Sequence, residues 1–251
     1  MSGLTLGLRQ VRLEHRAFWR NPAAAFFTVV FPLVFMVIAD LALAVPLGGA
    51  DVAARFYTPA IITFGVVTAC YTNVAMGVVL ARENGILKRL RGTPLPMWAY
   101  LAGRVGQAVL VAAALAILVG AFGAIAYGVA LPLDRLPQVA AALVVGAAAF
   151  SALGLAVTRL VPDAASAPAV VNATILPLLL VSDVLVPLDE GPLATLASLF
   201  PVSHLANAFA AAYDPSVAAA GIYLASLSVV AGWGVAAVVA AWLTFRWEPR
   251  A

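Results

Sequence analysis

Ala81-Arg82-Glu83-Asn84-Gly85-Ile86-Leu87-Lys88-Arg89-Leu90-Arg91-Gly92-Thr93-Pro94-Leu95-Pro96 is the densest run of charge in the chain and holds its only lysine. Long apolar segments flank it on both sides. Ile86, Leu87 and Leu90 recur at helical spacing, and Arg82, Lys88, Arg89 and Arg91 cover much of the remaining surface. That pattern predicts a short amphipathic helix. Gly92, Pro94 and Pro96 stop it, because proline has no N–H and disfavours a helical residue before it. These residues leave two readings open. One is a basic loop that only fixes membrane topology, and the other is a docking helix for a soluble partner.

The composition sets the surroundings of this run. The 251 residues are 64% hydrophobic and 10% charged, with a mean hydropathy of +1.05. Soluble domains carry roughly a quarter charged residues, so the chain reads as an all-α integral membrane protein. Its pI near 9.4 implies no nucleic acid, because the cations cluster between apolar runs where a membrane accounts for them. The single Cys70 excludes an intrachain disulfide or thiolate cluster. Two histidines, His15 and His204, are too few for an imidazole-rich metal site, so no metal or cofactor is expected.

Residues 1–22 read as a cytoplasmic interfacial helix, in which Leu6, Val11, Leu13, Phe18 and Trp19 alternate with Arg9, Arg12, Arg16 and Arg20. The apolar run that follows is longer than a signal-peptide core of about 7–15 residues, so no cleavable signal is read here. Residues 23–251 read as one transmembrane domain. Six segments have the length of a span, at about 23–45, 58–80, 103–127, 136–158, 165–186 and 218–245. They lack barrel alternation, and an open strand cannot satisfy its backbone in lipid, so all six are expected to be helices. With both termini in the cytoplasm, twelve of the fourteen Lys and Arg residues fall inside, leaving Arg55 and Arg135 outside. The outer loop 188–215 is unusually apolar. Two short helices are expected in it, at about 192–200 and 203–212, with Pro192 in a first helical position and Ser203 as an N-cap. The loop either packs on the bundle or serves as an outer gate.

The chain holds no phosphate-binding loop. That motif needs Gly-Lys-Ser/Thr, and the only lysine follows Leu87. Any ATP-driven activity must therefore come from another polypeptide. A Ser/His pair from His204 with Ser182 or Ser151 lacks the Gly-x-Ser-x-Gly turn. Asp189-Glu190 reads as a solvated turn. Asp40 and Asp183 lie in apolar segments, where a charge costs about 2.5–3.5 kcal/mol at a helix centre. They read as water-exposed helix ends or as part of a polar path. Thr72, Asn73 and Asn172 read either as helix–helix hydrogen bonds or as further members of that path. A secondary transporter driven by an ion gradient through Asp40 or Asp183 is the rival reading, but no inverted repeat is visible.

The run Arg82-Glu83-x-Gly85-x-Leu87-Lys88-Arg89-Leu90-Arg91-x-Thr93-Pro94-Leu95-Pro96 resembles the signature loop of ABC type-2 exporter permeases, in particular the drug- and antibiotic-resistance branch with the daunorubicin exporters. The likeness extends to Ser182-Asp183-Val184-Leu185-Val186-Pro187 and to Phe200-Pro201-Val202-Ser203-His204-Leu205. Asp183 departs from it, since the family commonly has glycine there. The resemblance implies a six-span permease in a bacterial cell membrane, with an interfacial N-terminal helix and two short outer helices. It further implies pairing with a second permease copy and with two ATPase subunits that supply the ATP chemistry. Loop 81–96 would hold the coupling helix. Arg82, Glu83, Ile86, Leu87, Lys88, Arg89, Leu90 and Arg91 would then dock on the ATPase, while the basic members could equally hold anionic lipid headgroups.

Overall fold

The computed structural model describes residues 3–43, 49–93, 95–182, 184, 191–213 and 221–244. Asp183, Pro94 and both edges of loop 188–215, including Asp189, Glu190 and Asp214, lie outside the described residues, as do the side chains of Asp40 and Arg91. All regular structure among the described residues is helical. The helices are α1 (Gly3–Trp19), α2 (Pro22–Ala25), α3 (Phe31–Leu43), α4 (Ala50–Val67), α5 (Asn73–Glu83) and α6 (Ile86–Arg91). They continue with α7 (Met97–Tyr127), α8 (Leu136–Val157), α9 (Ala167–Val181), α10 (Pro192–Ala197), α11 (Pro201–Tyr213) and α12 (Ile222–Thr244).

Among the described residues, four stretches are long and apolar enough to cross a membrane: Val52–Glu83, Trp98–Tyr127, Leu133–Val157 and Ile222–Thr244. Two shorter apolar helices, Phe26–Ala39 and Ala167–Val181, fall in the first and fifth of the expected spans. The 15 residues of α9 reach only about 22 Å at 1.5 Å per residue, short of a bilayer core of about 30 Å. Two π-turns widen the N-terminal spans. Phe26–Val30 joins α2 to α3, and Thr68–Thr72 joins α4 to α5.

Small residues set how closely these helices approach. A Cβ on Gly154 of α8 would fall 2.6 Å from the Tyr71 carbonyl oxygen and 3.3 Å from that of Cys70. The α8 helix therefore lies directly on the backbone of the second π-turn, with the free thiol of Cys70 fully buried beside it. Gly146, further up α8, receives Leu205 of α11, whose Cδ1 would lie 2.7 Å from an added Cβ. Gly234 of α12 faces Ala149 of α8 at 3.0 Å on the same measure. Bulk replaces small residues only where there is room. Phe35 and Phe64 stack at 6.3 Å between α3 and α4, while Tyr57, Phe150 and Phe209 fill the centre.

The α11 helix turns into the bundle, while most of the described side chains of α10 stay exposed. Val202, Leu205, Ala208 and Phe209 are fully buried, and the Trp233 indole of α12 donates to the Leu199 carbonyl at 3.1 Å. The other end of α11 meets Arg135 at the start of α8, whose Nη1 donates to the Ala211 carbonyl at 2.9 Å. So α11 climbs from mid-bundle to the end opposite α6. Ser203 is not an N-cap. It lies inside α11 behind Pro201, and its hydroxyl donates back to the carbonyls of Ala197 and Phe200. His204 Nε2 reaches the Ser198 carbonyl at 2.8 Å. The helix break before Pro201 leaves carbonyls that amides of the next helix cannot reach, and these side chains take them.

Gly154→Ala is expected to destabilise the protein by about 1–3 kcal/mol, because the added methyl meets backbone that cannot swing aside. Gly232→Ala, where nothing lies within 4 Å, is expected to be neutral. Unfolding midpoints of the two variants in one detergent check this.

Candidate functional site

The charged run splits into two parts. The α5 helix continues through Arg82 and Glu83, and Gly85 then adopts φ +66°, a left-handed conformation that glycine takes without strain. Only Ile86–Arg91 forms the separate short helix α6, so Arg82 and Glu83 belong to the span and not to the amphipathic helix. Leu87 is fully buried and packs with Ala81 of α5 and Tyr100 of α7, flanked by Leu90, Leu95 and Leu101. One leucine thus pins α6 into the corner between two long helices.

The remaining side chains of α6 divide by direction. Lys88 and Arg89 are exposed, as is Ile86 at 41%. Arg89 folds back, its Nη2 donating to the Asn84 carbonyl at 2.7 Å and its Nε to that of Gly85 at 3.4 Å. It thereby caps the end of α5. Thr93 Oγ1 donates to the Leu90 carbonyl at 2.8 Å and closes the other end of α6. Ile86, Arg89, Leu90 and Thr93 rim an open depression of about 360 Å3. The side chain of Arg91 lies outside the described residues.

Arg82 points the other way. It is only 3% exposed, with Nη1 donating to the Thr158 carbonyl at 3.2 Å and Nη2 to the Val161 carbonyl at 2.8 Å. Its Nε lies 3.6 Å from Glu83 Oε1, close enough for an ion pair but too far for a hydrogen bond. Arg82 therefore offers nothing to an external surface. The turn it grips, 158–166, ends at Ser166, whose backbone N–H donates to Asp163 Oδ1 at 2.8 Å. Backbone and side-chain hydrogen bonds from Ser166 hold the Asp163 carboxyl below its ordinary range, so it carries its charge at neutral pH.

The α1 helix joins this end of the bundle. Its Gln10 and Val11 rest on Gly103 and Gly106 of α7, where a side chain would leave no room. Glu14 pairs with Arg104 at 3.4 Å and accepts from Gln10 Nε2 at 2.9 Å. Arg104 Nε donates to the Tyr100 hydroxyl at 3.0 Å, and its guanidinium lies over Gly77 of α5. One buried-side cation thus joins α1, α5 and α7.

The residues expected along a polar path are only partly gathered. Asn73 Nδ2 donates to Thr28 Oγ1 at 3.2 Å, tying the two π-turned regions together. Thr72 lies half-buried in the second π-turn. Tyr71 and Thr174 of α9 share a hydrogen bond of 2.6 Å. Asn172 is exposed, about 200° round α9 from Thr174, and so faces away from that pair. Thr28, Tyr71, Thr174, Glu14 and Arg104 are functional candidates that the sequence reading did not single out. Only Thr28 carries a local signal, as a lone hydroxyl in an otherwise aromatic and aliphatic run. Among the described residues no group of three or more His, Cys, Asp or Glu could hold a metal.

No curated protein matches the chain. The model of one family does, described as ABC-2 type transporter, and it matches residues 9–213 of the 251. That range holds α1 from Arg9 onward, the α5–α6 junction and the α10–α11 pair, so the match takes in the arrangement around α6. The chain belongs to the ABC-2 type transporter family, and with its four long apolar helices it is a membrane-embedded subunit of an ABC transporter.

Proposed function

We propose that the chain is the permease half of an ATP-driven exporter in the drug- and antibiotic-resistance branch, moving a hydrophobic or amphipathic small molecule out of a bacterial cell. Six spans carry it, counting the shorter apolar helices Phe26–Ala39 and Ala167–Val181 with the four long ones. Both termini lie on the cytoplasmic side, where twelve of its fourteen cations fall. Two copies pair, and two separate ATPase subunits seat beneath them.

The observation that carries this reading is the disposition of α6. Leu87 anchors the helix, while Ile86 and Lys88 project from it and the Ile86–Thr93 depression lies open. An apolar side chain beside a cation and a receptive hollow suits a protein partner better than a headgroup layer, which needs charge alone. A short helix held at both ends transmits a push from that partner without bending. Glu83, 23% exposed at the root, is placed to add a polar contact.

Ile86→Asp and Lys88→Glu are expected to lower recovery of the ATPase with the permease by roughly tenfold each, leaving the unfolding midpoint unchanged. Arg89 is a poorer choice, since its reversal would also uncap α5. Undiminished recovery in both variants would remove the docking reading. Transport by the lone chain in vesicles, following a proton or sodium gradient, would favour the secondary-transporter alternative through Asp40 or Asp183. Asn73→Ala is expected to raise the substrate concentration at half-maximal transport by roughly twofold to tenfold, with ATPase recovery intact. A substrate titration in proteoliposomes measures it.

A further inference from the structure

The guanidinium of Arg82 bridges two elements that the chain keeps far apart, the end of α5 and the turn after α8. Both acceptors are backbone carbonyls just past the C-terminal end of α8, that of its C-cap Thr158 at 3.2 Å and that of Val161 at 2.8 Å. Charge-assisted hydrogen bonds are the strong ones, and with 3% exposure no water stands ready to replace these. The end of α8 therefore cannot part from the end of α5 without leaving a buried cation short of acceptors.

The other side of Arg82 leads straight to α6. Asn84 and Gly85 alone separate α5 from α6, and Arg89 of α6 donates to both of their carbonyls. Leu87 packs on Ala81, the residue before Arg82. Arg82 thus sits at the root of α6 and grips α8. The 22 residues of α8 run unbroken for about 33 Å. On the way α8 lies against the second π-turn at Gly154 and takes Leu205 of the α10–α11 elbow at Gly146. At its start, Arg135 holds the Ala211 carbonyl of α11.

We infer that Arg82 is a positioning residue that fastens α6 to α8, so that a push on α6 is delivered along α8 to the α10–α11 elbow. This rests on the permease reading above. It differs from a push passed only to α7, the next helix in the chain.

The test uses the complete transporter with its ATPase in nanodiscs. An environment-sensitive thiol probe is placed at Leu196→Cys on exposed α10, and separately at Asn84→Cys beside α6. Cys70 is fully buried and takes no label. In the otherwise unaltered protein, ATP is expected to change emission at both positions. In Arg82→Met the Asn84 signal is expected to persist and the Leu196 signal to be lost, with Arg82→Lys intermediate, since a single ammonium replaces the two-pronged donor. A purely structural Arg82 would weaken assembly and both signals in parallel, and that result overturns the inference. So does a full Leu196 signal in Arg82→Met. If Arg82→Met does not assemble, Arg82→Lys decides alone, and an unaltered Leu196 signal in it overturns the inference. A response at Asn84 without one at Leu196 in the otherwise unaltered protein overturns it too. Absence of any ATP response at Asn84 there strikes the permease reading instead.

Discussion

A helix that ends away from water leaves carbonyl oxygens in need of a donor, and this constraint organises the molecule. Several interruptions among the described residues are met by a side-chain donor. Arg89 takes the end of α5, Arg82 takes the turn after α8, and Arg135 takes a carbonyl of α11. At the α10–α11 elbow, Ser203, His204 and Trp233 together cover the carbonyls from Ala197 to Phe200. Cations that hydropathy assigns to topology alone are therefore also structural. They stand where helices stop, and each ties its own helix end to another.

Packing supplies the second constraint. Lipid tails are as apolar as leucine, so burial alone draws these helices together only weakly and close approach must do the rest. Gly154, Gly146 and Gly234 place α8 against the second π-turn, α11 and α12 in turn. With three faces committed, α8 has little freedom to rotate or slide. The exposed aliphatic residues of α7 and α12, such as Ile117, Ile125 and Val235, are outward-facing and suited to lipid. Rigid contacts lie inside and adaptable ones outside, an arrangement in which displacement of one helix end reaches distant neighbours.

What the residues declare locally was legible in the sequence. Hydropathy marked the membrane class and the apolar stretches. The glycine and prolines at 92–96 marked where α6 stops, and the alternation of arginine with aliphatic residues marked α1. What depends on distant partners was not legible. Arg82 looks like its neighbours Lys88 and Arg89, yet its acceptors lie 76 and 79 residues away and turn it inward. Ser203 has the residue type of an N-cap, but Pro201 starts the helix two residues earlier and converts the hydroxyl to a donor for the preceding carbonyls. The π-turns have no proline or glycine to announce them. Asn73 and Thr28 meet across one of them only because two spans are adjacent.

Lys88 is the sole lysine of the chain and stands exposed on α6. Apart from the amino terminus, an acylating reagent therefore has a single primary amine to find here. Peptide mass measured before and after such treatment gives a direct occupancy scale for α6: the amine is modified where that helix is bare and spared where another surface covers it.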